Sequence, residues 1–159
     1  MSSGIDNDYK LALGNLVLEV SNLDSGLTQL IAALTEMRIT YALILVHHQQ
    51  FSNKLDALRA LFRLIYPSED DPQYRPVKEA LDRVKAVGDF RNSVVHALWT
   101  VDEAGTPHAV RFHARGVLTH SRQPAPIEKV REHTLEAIQL AGTLSTLAKV
   151  YRGYAALGN

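Results

Sequence analysis

The segment Asp89-Phe-Arg-Asn-Ser-Val-Val-His96-Ala-Leu-Trp99 gathers an arginine, an amide and an imidazole: Arg91 is followed at once by Asn92 and, five residues on, by His96. A guanidinium can hold two oxygens of an oxyanion together. An imidazole gives or takes a proton near neutrality. Few other groups in the chain offer comparable chemistry. Cysteine is absent, which removes disulfides, thiolate metal sites, iron–sulfur clusters and cysteine nucleophiles together. No P-loop, GxGxxG or GxSxG sequence occurs, nor HExxH, nor the Glu-x-x-His pair of di-iron bundles. His108, His113 and His120 are spaced too loosely for a metal cluster, and His48 reads as a histidine of an apolar helix face. No cofactor and no metal are therefore expected.

The elements that must position this segment read as helices. Leu16, Val20, Leu23, Leu27, Leu30, Leu34 and Met37 recur at spacings of four and three, the seam of a first helix from about Asp8 to Met37. Asp24-Ser25-Gly26 could kink it. A second helix is expected from Thr40 to Tyr66, where Pro67 stops it, with the stripe Tyr41, Ile44, His48, Phe51, Leu55, Leu58, Phe62 and Ile65. A third runs from about Pro76 to Leu98 and carries Arg91. The period then changes to two. Trp99 to Gln123 reads as a hairpin in which Val110 and Phe112 face one way and Arg111, His113 and Arg115 the other, with a further short strand after the Gly116 turn. A last helix follows from Pro126 to Ala156. The fold class expected is all-α: one domain over residues 1–159, an antiparallel four-helix bundle with a small β-hairpin insertion, about residues 99–123, between helices 3 and 4.

On an ideal helix Arg91 points into the apolar face made by Val84, Val87, Phe90, Val94, Val95 and Leu98. Asn92 and His96 lie on the opposite polar stripe with Lys85 and Asp89. Arg91 and His96 are then about 140° apart, and need a bend, a long reach or a second subunit to meet. Two readings stay open. Arg91 could be structural, paired with Glu19, Glu36 or Asp56, because an unpaired buried charge is costly, and His96 could be a solvated histidine at a helix end. Alternatively, the pair serves catalysis or phosphate binding.

Arg91-Asn92 with His96 resembles the signature of the HEPN superfamily (higher eukaryotes and prokaryotes nucleotide-binding domain), an arginine followed by a polar residue and then a histidine four to six residues on. The layout is similar too, with two long helices before the motif and one after it. Val46-His-His-Gln-Gln-Phe-Ser-Asn-Lys-Leu-Asp-Ala-Leu58 also looks like the second helix of some members. The resemblance implies a helical bundle and metal-independent RNA cleavage, in which the ribose 2′-OH attacks the neighbouring phosphodiester and leaves a 2′,3′-cyclic phosphate. It further implies Arg91 and His96 as the catalytic pair with Asn92 in support, in a cleft shared by two copies of the chain.

Charge and composition bear on both readings. Lys plus Arg and Asp plus Glu are each 17, so the net charge is zero, and hydrophobic residues make up 46%. A polybasic nucleic-acid binder would not look like this, and any RNA contact needs a local patch. One exists: Pro107 to His133 carries Arg111, Arg115, Arg122, Lys129 and Arg131 against Glu128 and Glu132. Arg111, His113 and Arg115 could form a phosphate-facing ridge beside His96, or only a solvated sheet face. The polar start of the chain (Asp6, Asp8) does not read as a signal peptide, and the longest apolar run, Tyr41–Val46, is too short to span a bilayer. A cytoplasmic protein without membrane contact is expected. The functional expectation is a dimeric HEPN-like ribonuclease or RNA-binding module. The alternative is a catalytically silent bundle that partners a nucleotidyltransferase, an antitoxin or another defence-system subunit.

Overall fold

The computed structural model describes residues 5–46, 48–115 and 117–157, the side chains of 113–115, 117 and 154–157 excepted. The first helix, α1, spans Asn7–Leu34. Asp6 caps it by accepting the Tyr9 amide N–H at 2.7 Å, satisfying one of the donors left open at a helix start. The heptad reading holds through its centre, where Leu16, Val20, Leu23, Leu27 and Leu30 are buried. Asp24-Ser25-Gly26 does not break α1. A Cβ on Gly26 would lie 3.3 Å from Leu144, so the glycine permits close packing against the last helix.

The expected second helix is two helices. α2 covers Ile39–Val46 and α3 covers Phe51–Ile65, with Gln50 in extended conformation as the α3 N-cap. The physical reason is phase. α2 buries Ala42 and Val46, whereas α3 buries Leu55, Leu58 and Phe62. Val46 and Leu55 would stand about 180° apart on one straight helix, so a continuous helix could not bury both. Tyr41 and Ile44, expected on the apolar stripe, are exposed, and so is His48. His47 lies outside the described residues.

α4 spans Tyr74–Val95 and ends three residues before its expected limit. Three strands follow: β1 Leu98–Val101, β2 Pro107–Arg115 and β3 Val117–Pro124, an antiparallel meander in the order β1-β2-β3. The final helix, α5, is Ile127–Leu157. The four-helix bundle with a hairpin between helices 3 and 4 is therefore corrected to five helices with a three-stranded sheet between α4 and α5.

The wholly antiparallel arrangement is also corrected. Tyr9 near the start of α1 donates to the Ala125 carbonyl at 2.5 Å, just before α5, while Gly26 meets Leu144 farther along both helices. α1 and α5 thus run side by side in the same direction. Arg59 pairs with Asp82 while Phe51 meets Gly88, and Arg83 pairs with Glu136 while Phe90 stacks on His133. Those pairs make α4 antiparallel to both α3 and α5.

The sheet is fastened to the bundle through one face. Trp99 packs edge-on against Tyr9 with ring centroids 5.1 Å apart, and Ala109 is fully buried. Burial also pushes the Tyr9 phenol well above its ordinary pKa. The β1–β2 turn is held by Asp102, whose carboxylate accepts the backbone N–H groups of Ala104 and Thr106 and pairs with His108 Nε2 at 2.9 Å.

Candidate anion-binding groove

Arg91 sits in the last turn and a half of α4, and β2 passes over the same end of the helix. Its Nη1 donates to the Asn92 side-chain oxygen at 2.9 Å. Its Nε is buried and has no hydrogen-bond partner, and among the described residues no carboxylate forms an ion pair with it. The expectation of a structural pair with Glu19, Glu36 or Asp56 is thus corrected. Asp56 faces Arg59 at 3.5 Å, and Glu19 accepts from Asn22 at 3.1 Å. Arg91 is held by an amide, and much of its hydrogen-bonding capacity remains unused.

His96 is the residue at which the helix ends. Its backbone angles, φ −99° and ψ 15°, have left the helix, and its side chain is exposed. Arg91, Asn92 and His96 line one open cavity of about 640 Å³ between α3, α4 and β2. Arg111 lines it too. It lies two residues from buried Ala109, on the strand face turned to the bundle, and among the described residues no acid pairs with it. His113 and Arg115 share that strand, but their side chains lie outside the described residues.

The groove also contains residues that the sequence did not single out. Arg59 and Lys85 line it, each already engaged by a carboxylate: Arg59 with Asp82 at 2.9 Å, Lys85 with Asp89 at 2.5 Å. Phe51 and Gly88 complete the wall next to Arg91. A Cβ on Gly88 would fall 2.6 Å from Phe51 Cε1, so the glycine admits the ring. The available signal was a glycine in the interior of an otherwise regular helix, where it costs stability unless something needs the space. Arg91 and Arg111 are left as two guanidiniums free to take an anion, with an imidazole at the rim.

Two other histidines, His133 and His108, are engaged outside the groove. His133 stacks on Phe90 with centroids 3.9 Å apart. Burial, and then the Lys129 charge, hold its pKa below the ordinary value, so the fold disfavours its charged form. Asp102, bonded to His108 and to the turn amides, is held below the usual carboxylate range. Among the described residues no three His, Asp or Glu side chains converge as a metal site, and no helix is long and apolar enough to cross a membrane.

No family model, curated protein or solved structure matches this chain. What the groove can do follows from its own side chains. Two arginines without acid partners suit the non-bridging oxygens of a phosphodiester, because each offers paired N–H donors in a fixed fork. An exposed imidazole at the rim can reach a reacting hydroxyl or leaving oxygen.

Proposed function

We propose that the chain is a HEPN-like RNA-binding module and metal-independent endoribonuclease, acting in the cytoplasm as a homodimer. The observation that carries this reading is that Arg91, Asn92, His96 and Arg111 line one cavity, with no carboxylate paired to Arg91 among the described residues. Arg91 and Arg111 hold the non-bridging oxygens of the scissile phosphate and stabilise the charge that grows on them. The ribose 2′-oxygen bonds to phosphorus as the bond to the 5′-oxygen breaks, giving a 2′,3′-cyclic phosphate and a free 5′-hydroxyl. The 2′ proton must leave and the 5′-oxygen must gain one. A single imidazole serves one of these transfers at a time, so His96 of a second copy supplies the other. Purified protein should cleave single-stranded RNA in EDTA and leave cyclic phosphate ends. His96→Ala should fold normally and lose that activity.

A second reading, a silent interaction module partnering a nucleotidyltransferase or antitoxin, is favoured by a different observation. α2 presents Ile39, Tyr41, Leu43, Ile44 and Leu45 to solvent, with Ile44 at 74% exposure, and the outer sheet face does the same with Leu98, Phe112 and Leu118. Grouped exposed apolar side chains of this kind support a contact with another chain. Absence of cleavage on any RNA, together with stable capture of such a partner, would select this reading.

A further inference from the structure

A second cavity of about 740 Å³ shares Phe51, Gly88, Arg91 and Asn92 with the groove and is otherwise lined by residues of α1, α2, α3 and α5 and by Gln49. Its size falls within the range of small-molecule sites, roughly 300–1,000 Å³. Its lining combines two kinds of surface. Ile39 and Leu43 of α2, with Phe51, form an apolar side. The lining also carries Arg91, Arg152 and the Lys54–Asp24 ion pair.

The charges do not cancel. Lys54 Nζ is 2.6 Å from Asp24 and is neutralised by it. Arg91 has only its amide contact and a buried, unpartnered Nε, and among the described residues Arg152 has no acid partner. The cavity lining therefore combines two guanidiniums without a carboxylate partner among the described residues with the apolar side chains of Ile39, Leu43 and Phe51. A monoanion would leave one positive charge over, and an inorganic ion would leave the apolar side wet.

We infer that this second cavity binds a small organic phosphate, a monoester whose dianionic head sits between Arg91 and Arg152 and whose apolar or aromatic body lies against Ile39, Leu43 and Phe51. The inference shares Arg91 with the proposed RNA groove, but Arg152, Ile39 and Leu43 line only this cavity, and His96 and Arg111 line only the groove, so variants at Arg152 and Arg111 tell the two sites apart.

Phenyl phosphate titrated into the whole chain by calorimetry provides the test, with inorganic phosphate as the comparison. Saturable one-to-one binding is expected, at least tenfold tighter than that of inorganic phosphate. Arg152→Gln should weaken it at least tenfold. Ser21→Phe, which fills the cavity from an exposed position on α1, should abolish it. Arg111→Gln should leave it within twofold while impairing RNA binding in the groove. Binding lost in Arg111→Gln but kept in Arg152→Gln would place the probe in the outer groove and overturn the inference. Equal affinity for inorganic phosphate, or no saturable binding, would overturn it as well. Melting curves confirm that each variant is folded.

Discussion

The ring of Phe51 on α3 rests on the bare backbone of Gly88 on α4, so close that a Cβ there would stand 2.6 Å from Phe51 Cε1. That contact forms part of the wall next to Arg91 and Asn92 in both cavities.

Gly88→Ala should therefore destabilise the protein despite alanine's better helix propensity. Forcing the ring aside costs roughly 1–3 kcal/mol, against about 1 kcal/mol gained from propensity. Gly14→Ala is the control. It lies in α1 with nothing within 4 Å of its Cβ position and should stabilise by about 0.5–1 kcal/mol. Denaturant melts of the two variants should move in opposite directions, and a stabilised Gly88→Ala would refute the packing argument.

Arg91→Met offers a second test. A guanidinium with a buried, unpartnered Nε and no carboxylate contributes little to folding. The melting temperature should stay level or rise, while RNA binding falls at least tenfold. A large fall in melting temperature would instead mark Arg91 as structural.

The Lys54–Asp24 pair should behave in the reverse manner. Lys54 is 1% exposed. Asp24→Asn leaves its ammonium buried without a counter-charge and should cost about 3 kcal/mol, the lower end for breaking a buried pair because Asp24 itself is partly exposed. Lys54→Met leaves only a partly solvated carboxylate and should cost less. Equilibrium unfolding of both variants checks the order.

Stability should also depend on pH through His133. Its folded pKa is depressed, so the unfolded chain takes up the proton first as pH falls. The contribution is fully present above about 6.5, the ordinary histidine value, and is lost as pH drops from there through the folded pKa. His133→Phe keeps a ring on Phe90 and should flatten the wild-type fall in melting temperature between pH 7.5 and 5.5. An unchanged slope would count against this.

Much of the helical content is legible because apolar spacing records burial directly, as in Leu16 to Leu30, and strand alternation around Val110 and Arg111 is equally plain. The break between Val46 and Phe51 is not, since neither glycine nor proline marks it; its cause is the opposed burial of Val46 and Leu55, which only the packed helices reveal. The last helix misleads in a similar way. The spacing Ile127, Val130, Thr134, Ile138 and Ala141 puts Ile138 on the expected apolar stripe, yet it is exposed, while the smaller Ala137 is buried in the core. At the groove, residue types alone pointed to Arg91 and His96. That both line one cavity together with Arg111 depends on the packing of α3, α4 and β2, which a helical wheel does not contain.

The most direct measurement is cleavage of a single-stranded RNA in EDTA by wild type and His96→Ala, with the product ends analysed. Wild type should yield 2′,3′-cyclic phosphate and 5′-hydroxyl ends, and the variant should be folded and inactive. Undiminished cleavage by folded His96→Ala, or no cleavage by wild type, would contradict the proposed role of the groove.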